Sequence, residues 1–126
     1  MKKIFQFLGV IGLSMAASSC YYDALPDASV IPIPENISYQ NEIQPIFNQS
    51  CTSCHDGGLD PDLRSGTSYT ALTANNAYVI PSDAENSVLY KALIGEGAPL
   101  MPPDGGLSQA KINLVKQWIN EGALNN

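Results

Sequence analysis

Cys51-Thr52-Ser53-Cys54-His55 places two thiols and an imidazole within five residues. Thiols separated by two residues can add to the two vinyl groups along one side of a porphyrin. The histidine that follows then faces the iron as a neutral imidazole. This C-x-x-C-H run is the attachment signature of c-type haem. His55 is the only histidine of the 126 residues, and the three cysteines stand at 20, 51 and 54. With Cys20 accounted for separately below, Cys51 and Cys54 are left as one pair, with no surplus thiol for a disulfide framework. A thioredoxin-like use of C-x-x-C wants a βαβ context, which the sequence does not offer. A zinc site wants four ligands, and here three nearly contiguous ones stand without a second Cys/His cluster.

Met101 is the second residue that could do chemistry. Met1 and Met15 belong to the N-terminal segment described below, which leaves Met101 as the one thioether of the mature chain. It sits in Gly95 to Leu107, a stretch holding Gly97, Pro99, Pro102, Pro103, Gly105 and Gly106. A long irregular loop in a small domain is usually functional. A loop methionine taken alone reads as a filler of a core gap. With C-x-x-C-H upstream, a soft sulfur on a stiff Pro-rich loop is better read as a ligand closing the sixth iron position, opposite His55. Bis-histidine ligation is excluded, because no second histidine exists.

The N-terminus reads as targeting sequence. Met1-Lys2-Lys3 is a basic start, Ile4 to Met15 is apolar apart from Gln6 and Ser14, and Ala16-Ala17-Ser18-Ser19 is a small-residue cleavage region. The apolar run is too short to span a bilayer. Cys20 directly after the small residues resembles a bacterial lipobox, with Ala17 where leucine is usual. The resemblance implies a lipoprotein signal peptide over 1–19 and acylation of Cys20. The alternative is an ordinary secretory signal with a chance cysteine, but a lone spare thiol in an exported protein is a liability. Either way the mature chain is exported, and lipidation predicts anchoring to a bacterial membrane, facing the periplasm or cell surface. Residues 20–37 then read as the lipidated cysteine and a flexible tether, with Pro26, Pro32 and Pro34 blocking regular helix.

The mature chain of about 107 residues suffices for one small domain, assigned to 38–126. The full chain has 6 basic and 12 acidic residues. Without Lys2 and Lys3 the net charge is about −8. Nucleic acid, which wants clustered Lys and Arg, is an unlikely partner. A redox partner with a basic docking patch suits the surface better, although plain solubility accounts for the charge equally well.

The elements that must position these groups read as helices. Tyr39, Ile43, Ile46 and Phe47 fall on one face at a period of 3.6, in a segment ending at Ser50. Pro45 either lies in its opening turns or kinks it. Residues 56–66 read as loop and Tyr69 to Leu72 as a short helix. Ser82-Asp83-Ala84-Glu85 has capping-box spacing ahead of Val88, Leu89, Ala92 and Leu93, and Gly95 is a stop. In the last helix Ser108 is the cap, Ile112, Val115 and Ile119 form the apolar stripe, Leu114 and Trp118 widen it, and Gly122 ends it. No alternating strand is visible, so the predicted class is all-α.

These motifs together resemble the small class I cytochrome c domains of bacterial exported proteins. The resemblance runs from about Tyr39 to Ala123 and rests on Tyr39-x-x-Glu42-Ile43-x-Pro45-Ile46-Phe47 and on Cys51-x-x-Cys54-His55. It continues through Ser87-Val88-Leu89-Tyr90, Met101-Pro102-Pro103 and Trp118-Ile119-x-x-Gly122-Ala123. It implies four or so short helices around one covalently bound haem c, with the first and last helices crossing. It further implies Cys51 and Cys54 as thioether links, His55 as proximal ligand and Met101 as distal ligand. Pro61 is a candidate for the carbonyl that orients the histidine in such domains.

Six-coordinate His/Met iron leaves no position for substrate and favours the ferrous state. The expected function is therefore single-electron transfer by a membrane-tethered, mono-haem protein without catalytic residues. Two other readings stand beside it: a catalytic or sensory haem from which Met101 dissociates, and an interaction domain using haem only as a structural core. Arg64 is the only arginine, and no distal His or Arg is positioned for peroxide chemistry.

Overall fold

The computed structural model describes residues 34–126. The signal peptide, Cys20 and the tether as far as residue 33 lie outside the described residues. From Tyr39 the chain forms a π-helical turn, Tyr39–Ile43, that runs directly into α1, Gln44–Ser50. Pro45 explains the join. It has no N–H to give to the turn before it, and its ring crowds the carbonyl four residues back, so the opening turn is wide instead of α-helical. The cap shows the same widening. Ser38 Oγ accepts from Asn41 N, while Glu42 Oε2 accepts from Ser38 N at 2.6 Å. This is a reciprocal capping box with its acid one residue later than in an ordinary α-turn.

Three further helices follow: α2 (Ser68–Thr73), α3 (Val88–Ile94) and α4 (Gln109–Asn120), with a 3₁₀ turn at Ala74–Asn76 after α2. No strand occurs among the described residues, and the class is all-α, as predicted. The start of α3 differs from the sequence expectation. Ser82 does not cap it. Ser82 has φ +64° and its N–H donates to Ile119 O at 2.8 Å, so residues 82–86 turn across the end of α4. Asp83 instead accepts from Asn86 N and Nδ2. Ser87 takes the cap position, but its hydroxyl donates to Asp83 O at 2.8 Å and accepts from Ile80 N at 2.9 Å, so no side-chain cap forms. Ser108 likewise stands at the cap position of α4 without a capping bond. Gly95 ends α3 with φ +70°, the left-handed conformation that glycine adopts without steric cost.

The core gathers where the first and last helices meet. Tyr39 is the shared residue: its ring lies 5.1 Å from Trp118, 6.4 Å from Phe47 and 5.2 Å, edge-on, from Tyr69. Ile43, Phe47, Val115 and Ile119 are fully enclosed around it. The α3 stripe behaves differently. Leu93 is buried, but Val88 is 42% exposed and Leu89 only partly covered, because this face lines a cavity instead of joining the core.

The folded unit also takes in the end of the predicted tether. Ile37 is 2% exposed, and Glu121 accepts from Ile37 N at 2.8 Å and Asn36 N at 3.1 Å. Hydrogen bonds from Gln117 first, then from these two amides, hold the Glu121 carboxyl below its ordinary value against some desolvation. A carboxyl lowered in the folded state stabilises above its unfolded pKa, and that contribution fades as pH falls through the folded value. Glu121→Gln should therefore lower the thermal midpoint near neutral pH. The gap from wild type, read by circular dichroism, should narrow as the pH drops below the ordinary carboxylate range.

Candidate functional site

The end of α1 builds the site. Cys51 N donates to Phe47 O at 2.8 Å, and the amides of Cys54 and His55 both reach back to Cys51 O, at 3.1 and 3.0 Å. The three residues thus share one tight turn carried straight off the helix. Both thiols are free. Burial pushes the Cys51 thiol above its ordinary value, with Lys111 pulling the other way.

His55 is oriented by its own loop. Its Nδ1 lies 3.0 Å from the carbonyl oxygen of Pro61. A carbonyl only accepts, so Nδ1 carries the proton, and the neutral ring keeps its lone pair on Nε2 for a metal. Pro61 thereby stands where the resemblance implied. Leu63 N closes the loop on His55 O at 2.9 Å. Within it Arg64 grips Asp62 through paired contacts, the shortest 2.7 Å, which hold the Asp62 carboxyl down to about 2.

Met101 reaches the same cavity from the other loop. Its amide donates to Ala92 O at 2.8 Å, which clips the Pro-rich segment against α3. Leu100 packs beside Gly95, where an added Cβ would stand 3.4 Å from the leucine Cβ. The cavity measures about 410 Å³, and its walls bring together Cys51, Cys54, His55, Pro61 and Met101 with Leu63, Leu72, Leu89, Ala92 and Leu93. A second cavity of about 360 Å³, lined by Glu35, Trp118 and Glu121 among others, carries no thiol, imidazole or thioether.

The residues fit a haem. The wall is largely apolar, as a flat macrocycle requires, with free thiols, one poised imidazole and one thioether on its border. Leu59 at 60% exposure and Val88 at 42% also line it, and both are large apolar side chains that such a group would cover. Among the described residues, no three His, Cys, Asp or Glu side chains converge as a metal-ion site.

One set of supporting residues was missed in the sequence reading. Gln44 is 4% exposed and Ser68 1%. Tyr39 Oη donates to Ser68 Oγ at 2.7 Å, Ser68 Oγ donates to Gln44 Oε1, and Gln44 Nε2 donates to Leu63 O at 3.1 Å and Asn48 Oδ1 at 2.8 Å. A signal was present: Gln44 directly follows Ile43 in the stripe Tyr39, Ile43, Ile46, Phe47, where burial forces a polar group to find partners.

Fold and site together define a class I c-type cytochrome domain, the class of haem c electron-transfer proteins. The chain belongs to the family described as cytochrome c oxidase, cbb3-type, subunit III, whose model matches residues 40–119. No curated protein and no solved structure matches it.

Gly57 has φ +97°, and a Cβ there would fall 2.5 Å from Arg64 Nη2. The arginine tip can swing aside, but the backbone conformation remains strained for any L side chain. Gly57→Ala should destabilise the holoprotein by about 1–2 kcal/mol, measured by denaturant unfolding followed by circular dichroism.

Proposed function

We propose that this chain is a membrane-tethered, mono-haem electron carrier with His/Met axial ligation. Cys51 and Cys54 hold one haem c through two thioether bonds, His55 is the proximal ligand and Met101 the distal ligand. The observation that carries this reading is the convergence on one cavity of an imidazole oriented through Nδ1 and a thioether fastened through its own amide. A bound haem supplies a one-electron Fe(II)/Fe(III) couple. The protein's part is positional. Pro61 fixes the His55 tautomer, the clip to Ala92 sets the Met101 backbone, and Leu63, Leu72, Leu89 and Leu93 keep water from the cavity wall. A thioether prefers ferrous iron, so the potential lies toward the upper part of the haem range.

The partner we infer is a redox protein with a basic docking patch. Asp60 and Asp104 line the cavity, are exposed, and make no ion pair among the described residues, where the pairs are Asp62–Arg64 and Glu85–Lys116. Opposite charge at the opening would steer encounter and set orientation. We further propose that Cys20 is lipidated, so that the domain is held at a bacterial membrane outside the cytoplasm.

The attachment test is direct. Wild-type protein should keep its pigment through denaturation and acid–organic extraction, and Cys51→Ala/Cys54→Ala should lose it; covalent haem in the double variant would refute the linkage. For the distal ligand, Met101→Ala should bind carbon monoxide and lose the sulfur-to-iron charge-transfer band of the ferric spectrum. Its midpoint potential should fall by on the order of 0.1 V, within the roughly 0.8 V that axial ligation spans. Retention of band and potential would assign the sixth position elsewhere, Lys91 being one candidate. For location, Cys20→Ser should release a soluble, red, redox-active protein into the periplasmic fraction. Wholly soluble wild type with unmodified Cys20 would leave only the secretory reading.

A further inference from the structure

The loop that orients His55 is weakly held for the work it does. Residues 56–60 are exposed, and Asp56 and Asp62 bond only to near neighbours, Gly58 and Arg64. Among the described residues, one side-chain hydrogen bond reaches 56–63 from another helix, and that is Gln44 Nε2 to Leu63 O at 3.1 Å. From Leu63 the path is short. Its own N–H closes the loop on His55 O at 2.9 Å, and two residues back Pro61 O receives the imidazole proton at 3.0 Å.

The amide of Gln44 is in turn almost fully committed. Its oxygen accepts from Ser68 Oγ, and its nitrogen also donates to Asn48 Oδ1 at 2.8 Å. A buried amide with partners on both its ends has one orientation, because turning it over would set its oxygen against the Leu63 and Asn48 oxygens. Leu63 O and Asn48 Oδ1 thus hold the N–H end of Gln44 toward the loop independently of the Ser68 bond at its other end.

We propose that Gln44 is a positioning residue for the iron ligand His55: by pinning Leu63 it holds the Pro61 carbonyl on the imidazole N–H, and so sets the basicity of that ligand and the redox balance of the haem. The proposal rests on the reading of His55 as the axial ligand. Its direction follows from the bond. An imidazole donating Nδ1–H to a carbonyl is a more basic ligand, and a more basic ligand favours ferric iron. Loosening the loop moves the balance toward ferrous.

The test uses full-length holoprotein and three variants. Gln44→Met keeps the volume and removes both ends of the amide. Gln44→Leu is a second apolar replacement that removes both ends of the amide without adding a charge. Ser68→Ala leaves Gln44 able to reach Leu63. Expected is a severalfold rise in the ferrous-to-ferric ratio at fixed applied potential for both Gln44 variants, with a shifted and faster-exchanging His55 ring N–H resonance in the reduced protein. Ser68→Ala should keep the wild-type ratio and resonance even where it lowers the melting temperature. Equal redox shifts in all three variants, tracking only lost stability, would overturn the proposal, as would an unmoved resonance and ratio in the Gln44 variants. Gln44 variants that load no haem would overturn the proposal, because the amide would then serve assembly of the fold and not the tuning of a loaded ligand. The wild-type spectrum separately tests His55 ligation, so a failure of that reading is distinguishable.

Discussion

The apolar cavity is the constraint from which the rest of this small fold follows. A domain of fewer than about 100 residues has little interior to begin with, and here a helical stripe that would ordinarily enlarge the core is turned into a wall. Val88, Leu89 and Ala92 face the cavity, so most of the enclosed volume must come from the meeting of the first helix with α4. That meeting is accordingly dense with aromatics. Tyr39, Phe47 and Trp118 are each no more than 1% exposed, and large rings in tilted or edge-on contact contribute both area and geometry. The haem reading completes this account, since a flat apolar group bound there supplies the contacts that the chain alone lacks.

Tyr39 ties the two halves of the molecule together. Its ring joins the aromatic core, and its hydroxyl begins the hydrogen-bond chain that ends at the histidine loop. Burial pushes its phenol up to about 12, although the bond to Ser68 works the other way. The group therefore stays a neutral donor throughout the ordinary pH range, and the direction of the chain is not reversed.

Much of this was legible in the residues. C-x-x-C-H and the lone remaining methionine identify chemistry by type and spacing, and the stripe Ile112, Val115, Ile119 follows from the helical period alone. Pro61 could be named only from the resemblance, in which a proline soon after the motif offers a carbonyl that accepts from the histidine. Other features depended on information that spacing does not carry. Pro45 was known to disturb its helix, but a kink and a widened turn differ only in where the displaced carbonyls go. Ser82-Asp83-Ala84-Glu85 has the letters of a capping box, yet Ser82 is drawn to Ile119 and Ser87 to Asp83, so tertiary bonds override the local signal. Gln44 was passed over because its partners lie 19 and 24 residues away.

The clamp of Glu121 on the backbone of Asn36 and Ile37 also fixes the geometry of approach. It bolts the incoming chain to the end of α4, beside the cavity lined by Glu35, Ile37 and Trp118. That cavity shares no lining residue with the one that holds His55 and Met101. The clamp at Asn36 and Ile37 thus stands beside a cavity separate from the one that holds His55 and Met101. Leu59 and Val88 belong to the wall of one cavity and Glu121 to that of the other, so covering the first two does not require breaking the clamp.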